Sequence, residues 1–272
     1  MQNYFAKILL LLAGFALAAF SFPARDQLRP VPPGVSMHDE VRKILPKHSV
    51  FPPVARWNEP SIPQDPQDQE RRVHRERLKG LNKYKPILDP GVREINGQVE
   101  SVDLTFIDEV TVLKPGERED PIGLPLRGAI VVVGTVTSGN AYVNQEHTLV
   151  FSEYKVAVQE VLKADPDSVI SAGDELTTWR SGGSVRFPAG HVAHFIIVGR
   201  GFPEVGTPYV LFLRRPDKTV KDYAISTAYS IKDQVLQLDD INYKRSYDGM
   251  PVKDFLDKLR QEISARREGG DD

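Results

Sequence analysis

Residues 154–163 read YKVAVQEVLK. Tyr154, Val156 and Val158 alternate in strict period two, which is what one buried face of a β-strand requires. The next apolar anchor, Val161, lies three residues on and so falls on the opposite parity. A β-bulge near Gln159-Glu160 restores the inward direction and bends the strand, as the wall of a barrel needs. This one local conflict favours a curved sheet over a flat one.

The neighbouring sequence supports the same reading. Residues 128–137, GAIVVVGTVT, form a near-continuous apolar run, expected of a strand buried on both faces. Further strands are predicted at Glu175 to Arg180, His194 to Val198 and Tyr209 to Leu213, punctuated by SGG, PAG and PEVG. The diglycine Gly182-Gly183 and the loop from Gly199 to Gly206 read as chain-turning devices, since glycine permits positive φ. Val220 to Tyr229 and Val235 to Leu238 read as a hairpin about Lys232-Asp233. Upstream, Val102, Leu104 and Phe106, then Val110 and Val112, alternate as a strand or strand pair leading into the core. Pro251 opens a helix in which Val252, Phe255, Leu256, Leu259 and Ile263 make an apolar stripe at helical spacing, a face that packs on the barrel.

The amino-terminal third has a different character. Lys7 followed by the apolar run Ile8 to Phe20 and small residues has the layout of a secretory signal, with cleavage expected after Ala18 or Ser21. The run is shorter than the roughly 20 residues a spanning helix needs, so no stable membrane anchor is expected once the signal is removed. From residue 22 to residue 64 the chain is dense in proline and reads as an extended arm, because proline lacks the amide donor and restricts its predecessor. Val50-Phe51 and Trp57 are its apolar spots, placed to dock in a groove of the chain's own domain or on a partner. Asp65 to Lys83 reads as a helix crowded with arginine whose only apolar markers are Val73, Leu78 and Leu81. That is a poor core-facing stripe, so the helix is expected to be mostly solvated or to lie loosely on the surface.

The expected organisation is therefore a signal peptide over 1–21, the proline-rich arm over 22–64, a charged helix and linker over 65–90, a β-barrel core over 91–245, a carboxy-terminal helix over 246–267 and a tail over 268–272. Composition narrows the chemistry. A formal net charge of −2 gives no bulk argument for nucleic acid, and nucleic acid is not an expected partner. The 272 residues include no cysteine, which excludes disulfides, thiolate metal sites and a cysteine nucleophile.

The order Y-x-V-x-V-x-x-V-L-K (Tyr154 to Lys163), a turn, a strand ending in Gly182-Gly183, then Phe202-Pro-x-x-Gly206-x-x-Tyr209-Val-Leu-Phe-Leu213 resembles domains of uncharacterised exported bacterial proteins. Those domains are similar to the OB-like barrel of netrin and tissue-inhibitor-of-metalloprotease modules. The resemblance covers about half the chain and implies a mainly β fold: an OB-like closed or partly open barrel with a carboxy-terminal amphipathic helix. The signal-like amino terminus together with the lack of cysteine points to a bacterial secreted or periplasmic location. The metalloprotease inhibitors act through an amino-terminal cysteine, which this chain lacks, so their mechanism does not carry over.

For binding, Tyr142, Trp179, Arg180 and Trp57 are the candidates, because aromatic rings supply stacking area and arginine supplies forked hydrogen bonds. Trp179, in a strand, also reads as a core residue. His191 and His194 form H-x-x-H, and His147 could complete a metal site. On a strand, however, positions three apart point to opposite faces, so these are weak metal candidates and no cofactor is expected. Ser181 and Ser184 flank the diglycine near His191 and Asp174, without the elbow motif of a hydrolase. The expected function is a non-enzymatic binding or interaction module whose partner is a protein or an extended polymer such as a glycan. The alternatives are a metal-assisted hydrolase using the histidines and an inhibitor-like module acting on a secreted protease.

Overall fold

The computed structural model describes residues 50–57, 63–78, 93–95, 98–100, 104–106, 126, 129–165, 169–190, 192–197, 200–216, 220–238 and 247–269. The expected signal stretch, the arm up to residue 49, His191, Val102, Val110 and Val112 lie outside the described residues. The chain is mainly β, with a helix at its carboxy-terminal end.

Two long strands, β5 (Ile130–Val143) and β6 (Val150–Lys163), form an antiparallel hairpin that carries the rest. Together with β7 (Glu175–Ser181), β10 (Pro208–Arg214), β11 (Tyr223–Lys232) and β12 (Val235–Leu238) they make a six-stranded sheet in the order β10-β5-β6-β7-β11-β12. β10 also pairs with β11, so the path of ladders comes back on itself. Its β7–β11 step consists of only two parallel pairs, Tyr223 with Thr178 and Ala224 with Trp179. The sheet is strongly curled without being laced shut along that line, and the fully closed form of the barrel is not what the ladders make.

The bulge expected near Gln159-Glu160 is present. Val133 pairs with Glu160 and Gly134 with Val158, which leaves Gln159 as the extra residue on β6. Val158 and Val161 thereby reach the same apolar cluster despite their opposite parity. Two further register shifts, between Val131 and Val132 and between Val136 and Ser138, bend the same ladder.

Ala129 to Gly134 are buried on both faces of the strand, for a visible reason. Ile130, Val132 and Val136 point inside the curl with Tyr154, Val156, Tyr209, Leu211, Leu213 and Ile225. Val131 and Val133, with Val210, Phe212, Tyr229, Leu236 and Leu238, point outward, where Val252, Phe255, Leu259 and Ile263 of the terminal helix cover them. That helix follows Pro251, spans Val252–Gly269, and is called α2 below. The β11–β12 turn falls at Asp233-Gln234, both with positive φ (51° and 62°), one residue later than expected and with the twist a two-residue hairpin favours.

Residues 183–197 do not continue the main sheet. β8 (Gly183–Arg186) and β9 (Val192–Ile197) pair with each other in a second sheet, flanked by β1 (Val54–Arg56) on β8 and β4 (Leu104–Phe106) on β9. A separate ladder joins β2 (Arg93–Ile95) to β3 (Gln98–Glu100). Gly182 is where the chain leaves one sheet for the other. Its φ is +101°, and a Cβ there would stand 2.7 Å from the carbonyl oxygen of Phe195. Gly182→Ala is therefore expected to cost about 1–3 kcal/mol of strain, read as a lower urea midpoint at unchanged slope.

Candidate functional site

The docked end of the proline-rich arm comes first in the chain. Ala55 is buried and β1 adds in parallel to β8, with Ser184 N donating to Pro53 O (2.9 Å) and Trp57 N to Arg186 O (3.0 Å). Val50 and Phe51 pack on Ile196 and Phe202. Trp57 stacks on His147 (ring centroids 4.2 Å) and meets Phe187 at 4.9 Å. Of the two dockings open to these apolar spots, the structure uses the groove of the chain's own domain.

The charged helix needs a correction. It spans Pro66–Leu78 (α1), with Asp65 as N-cap: the Asp65 carboxylate accepts from Gln67 N (2.8 Å) and Asp68 N (3.1 Å). Expected to be mostly solvated or loosely placed on the surface, it drives Arg75 into the outer face of the main sheet until that side chain has no exposure at all. An apolar-stripe criterion counts arginine as polar and so misses a helix that docks through guanidinium groups.

The receiving surface is assembled from four elements. Tyr142 on β5, Phe151 and Glu153 on β6 and Trp179 on β7 share one face: Tyr142 pairs with Phe151 across one ladder and Glu153 with Trp179 across the next. Asp222, just ahead of β11, closes the slot at the β7–β11 seam. Arg75 Nε donates to both Asp222 oxygens (2.9 and 2.8 Å), and its Nη2 donates to Oδ1 as well. Its Nη1 donates to Glu153 Oε2 (2.5 Å) and to the Tyr142 hydroxyl (3.1 Å). The guanidinium lies 5.4 Å from the Trp179 ring, while Arg72 lies 3.9 Å over Tyr142 and 3.6 Å from Glu153.

The electrostatics follow from this geometry. Burial alone would discharge Arg75, but the Tyr142 oxygen and the carboxylates of Asp222 and Glu153 hold it protonated, above its ordinary range. Burial pushes the Asp222 carboxyl up against the pull of Arg75, so a carboxylate is tolerated here only with a cation on it. Burial likewise raises the Tyr142 phenol, which stays protonated at neutral pH.

The four binding candidates thus separate. Tyr142 and Trp179, each 5% exposed, meet in this slot with Phe151 between them. Arg180 points to the other face of β7, is buried, and donates to Gly201 O, pinning the loop before β10. Trp57 lies on the second sheet with the arm. The histidines also separate: His147 stacks on Trp57, whereas His194 Nδ1 is 2.7 Å from Ser184 Oγ and its ring faces Phe51. Among the described residues no group of three His, Asp or Glu side chains is arranged to hold a metal ion. The Ser184–His194 contact is a cross-strand pair on β8 and β9, with Ser184 completely buried beneath the arm.

Arg72, Arg75, Glu153 and Asp222 were not singled out by sequence. The three-residue spacing of the two arginines places them on one helix face, and Glu153 stands at an outward position of β6. Nothing local links Arg75 to a carboxylate 147 residues away. No protein-family model and no curated protein matches this chain.

Proposed function

We propose that the chain is an exported, non-enzymatic binding module built on an OB-like, partly open barrel, and that its partner is a polypeptide. The strand path β5-β6-β7-β11-β10, with β7 and β11 parallel and the other steps antiparallel, supports the OB-like reading, since five curled strands in that Greek-key order are the plan of such barrels.

One observation carries the binding reading. The β-scaffold accepts two successive segments of its own amino-terminal region by two recognition modes that proteins use between chains. Residues 54–56 are taken up by strand addition onto β8, and α1 by insertion of arginine into an acidic, aromatic slot. Surfaces built this way suit a polypeptide better than a glycan, because strand addition reads backbone amides and the slot reads a cation.

A thermal-shift screen of the full-length mature chain against peptides, glycans and secreted proteases tests the reading. Anything that binds the folded state selectively must raise its stability, by about 2.7 kcal/mol at a hundredfold excess over Kd. A peptide or protein hit is the expected result. A hit confined to glycans, or a flat screen, would overturn it.

A further inference from the structure

The slot under α1 has the makings of a ligand site in its own right. Asp222 presents both oxygens to one guanidinium in a forked arrangement, Glu153 supplies a second carboxylate, the Tyr142 hydroxyl accepts a further N–H, and the Trp179 ring stands beside the cation. Planar delocalised charge, several diverging donors and an aromatic neighbour are what distinguish arginine from lysine as a partner for such a set. The surface is therefore built to a guanidinium, whichever chain brings it.

The group now in the slot is carried by a helix whose described residues dock through polar contacts. Among residues 66–75 of α1 no side chain belongs to any of the apolar clusters, and Val73 faces outward at 42% exposure. Arg72 and Arg75 attach α1 to the sheet by contacts that arginines on another polypeptide can reproduce one for one. A helix bound by an apolar stripe has no such equivalent competitor.

We propose that Asp222, Glu153, Tyr142 and Trp179 form a guanidinium-recognition site for an arginine side chain of a partner polypeptide, and that Arg75 of α1 is its resident occupant. The site rests on the binding-module reading and names its partner's chemistry. Exchange of the occupant exposes the face of β5, β6 and β7 that α1 covers.

The test uses the full-length chain and its Arg75→Ala variant, titrated calorimetrically with an alanine–glutamine helical peptide carrying one central arginine and with its lysine twin. The expected result is that Arg75→Ala binds the arginine peptide at least tenfold more tightly than the unaltered chain does, and at least tenfold more tightly than it binds the lysine twin. Adding Asp222→Ala should abolish the difference. Equal binding of the two peptides, or equal binding by variant and unaltered chain, would overturn the proposal. If Arg75→Ala does not fold, hydrogen exchange on the unaltered chain decides. Excess arginine peptide, and not the lysine twin, should speed exchange of the 66–75 amides at least tenfold while β5 and β6 stay protected, and no change would refute the site. A failed slot test beside a peptide hit in the thermal-shift screen removes the slot assignment alone, whereas failure of both removes the binding reading.

Discussion

Phe255→Ala is expected to lower the stability of the folded chain by about 3–5 kcal/mol, the range for deleting a fully buried phenylalanine. Phe255 has no exposure, and its ring meets Tyr229 at 5.1 Å and Tyr247 at 5.2 Å. It is the central residue by which α2 covers the outward face of β5, β10 and β11, where Val131, Val133, Val210 and Phe212 would otherwise meet water. The cavity left by alanine borders strands that are packed on both faces and cannot collapse into it. Urea unfolding followed by far-UV circular dichroism measures the loss. A change below about 1 kcal/mol, the ordinary range of surface substitutions and small trims, would mean that α2 does not seat here.

Arg75→Ala is expected to act differently, on α1 and not on the main sheet. Breaking a buried, hydrogen-bonded ion pair costs about 3–5 kcal/mol when the remaining charge stays buried. Of the contacts left to α1, Arg72 over Tyr142 contributes about 0.5–2 kcal/mol and its ion pair with Glu153 up to about 1 kcal/mol. The docked state therefore loses more than it retains, α1 leaves the sheet, and Asp222 regains water. Hydrogen exchange over residues 66–75 should accelerate by on the order of a hundredfold or more, since each 1.4 kcal/mol is a factor of ten. The amides of β5, β6 and β10 should keep their protection. Uniform loss of protection through the main sheet would show that α1 is part of the global folding unit.

What was legible in the sequence is what local periodicity encodes. The parity break between Val158 and Val161 located the bulge at Gln159, because both residues must reach one core and only an extra residue allows it. The stripe of α2 was equally clear, its anchors being apolar and regularly spaced. Gly182 announced a turn, though not that the chain changes sheets there, which depends on β8 finding β9 and β1 instead of continuing beside β6.

The slot was only half legible. Tyr142 and Trp179 stood out as aromatic residues, and the structure brings them together. Arg180 and Trp57 belong to other parts of the molecule, because adjacent strand residues face opposite ways and the arm seats on the second sheet. The buried arginine was hidden by its own chemistry: a hydropathy pattern reads α1 as solvated, and its carboxylate partners lie far along the chain. Likewise, the two residue pairs that join β7 to β11 are set by where β10 delivers the chain, not by any signal in either strand.

Arg75 and Asp222 hold α1 to the main sheet as one unit. A double-mutant cycle over Arg75→Ala, Asp222→Ala and the pair, read as the exchange free energy of the 66–75 amides, tests it most directly. Side chains joined by a fork of hydrogen bonds should show a coupling of about 2–3 kcal/mol, the double variant losing little more than either single one. Additive losses, with a coupling below about 0.5 kcal/mol, would contradict the account.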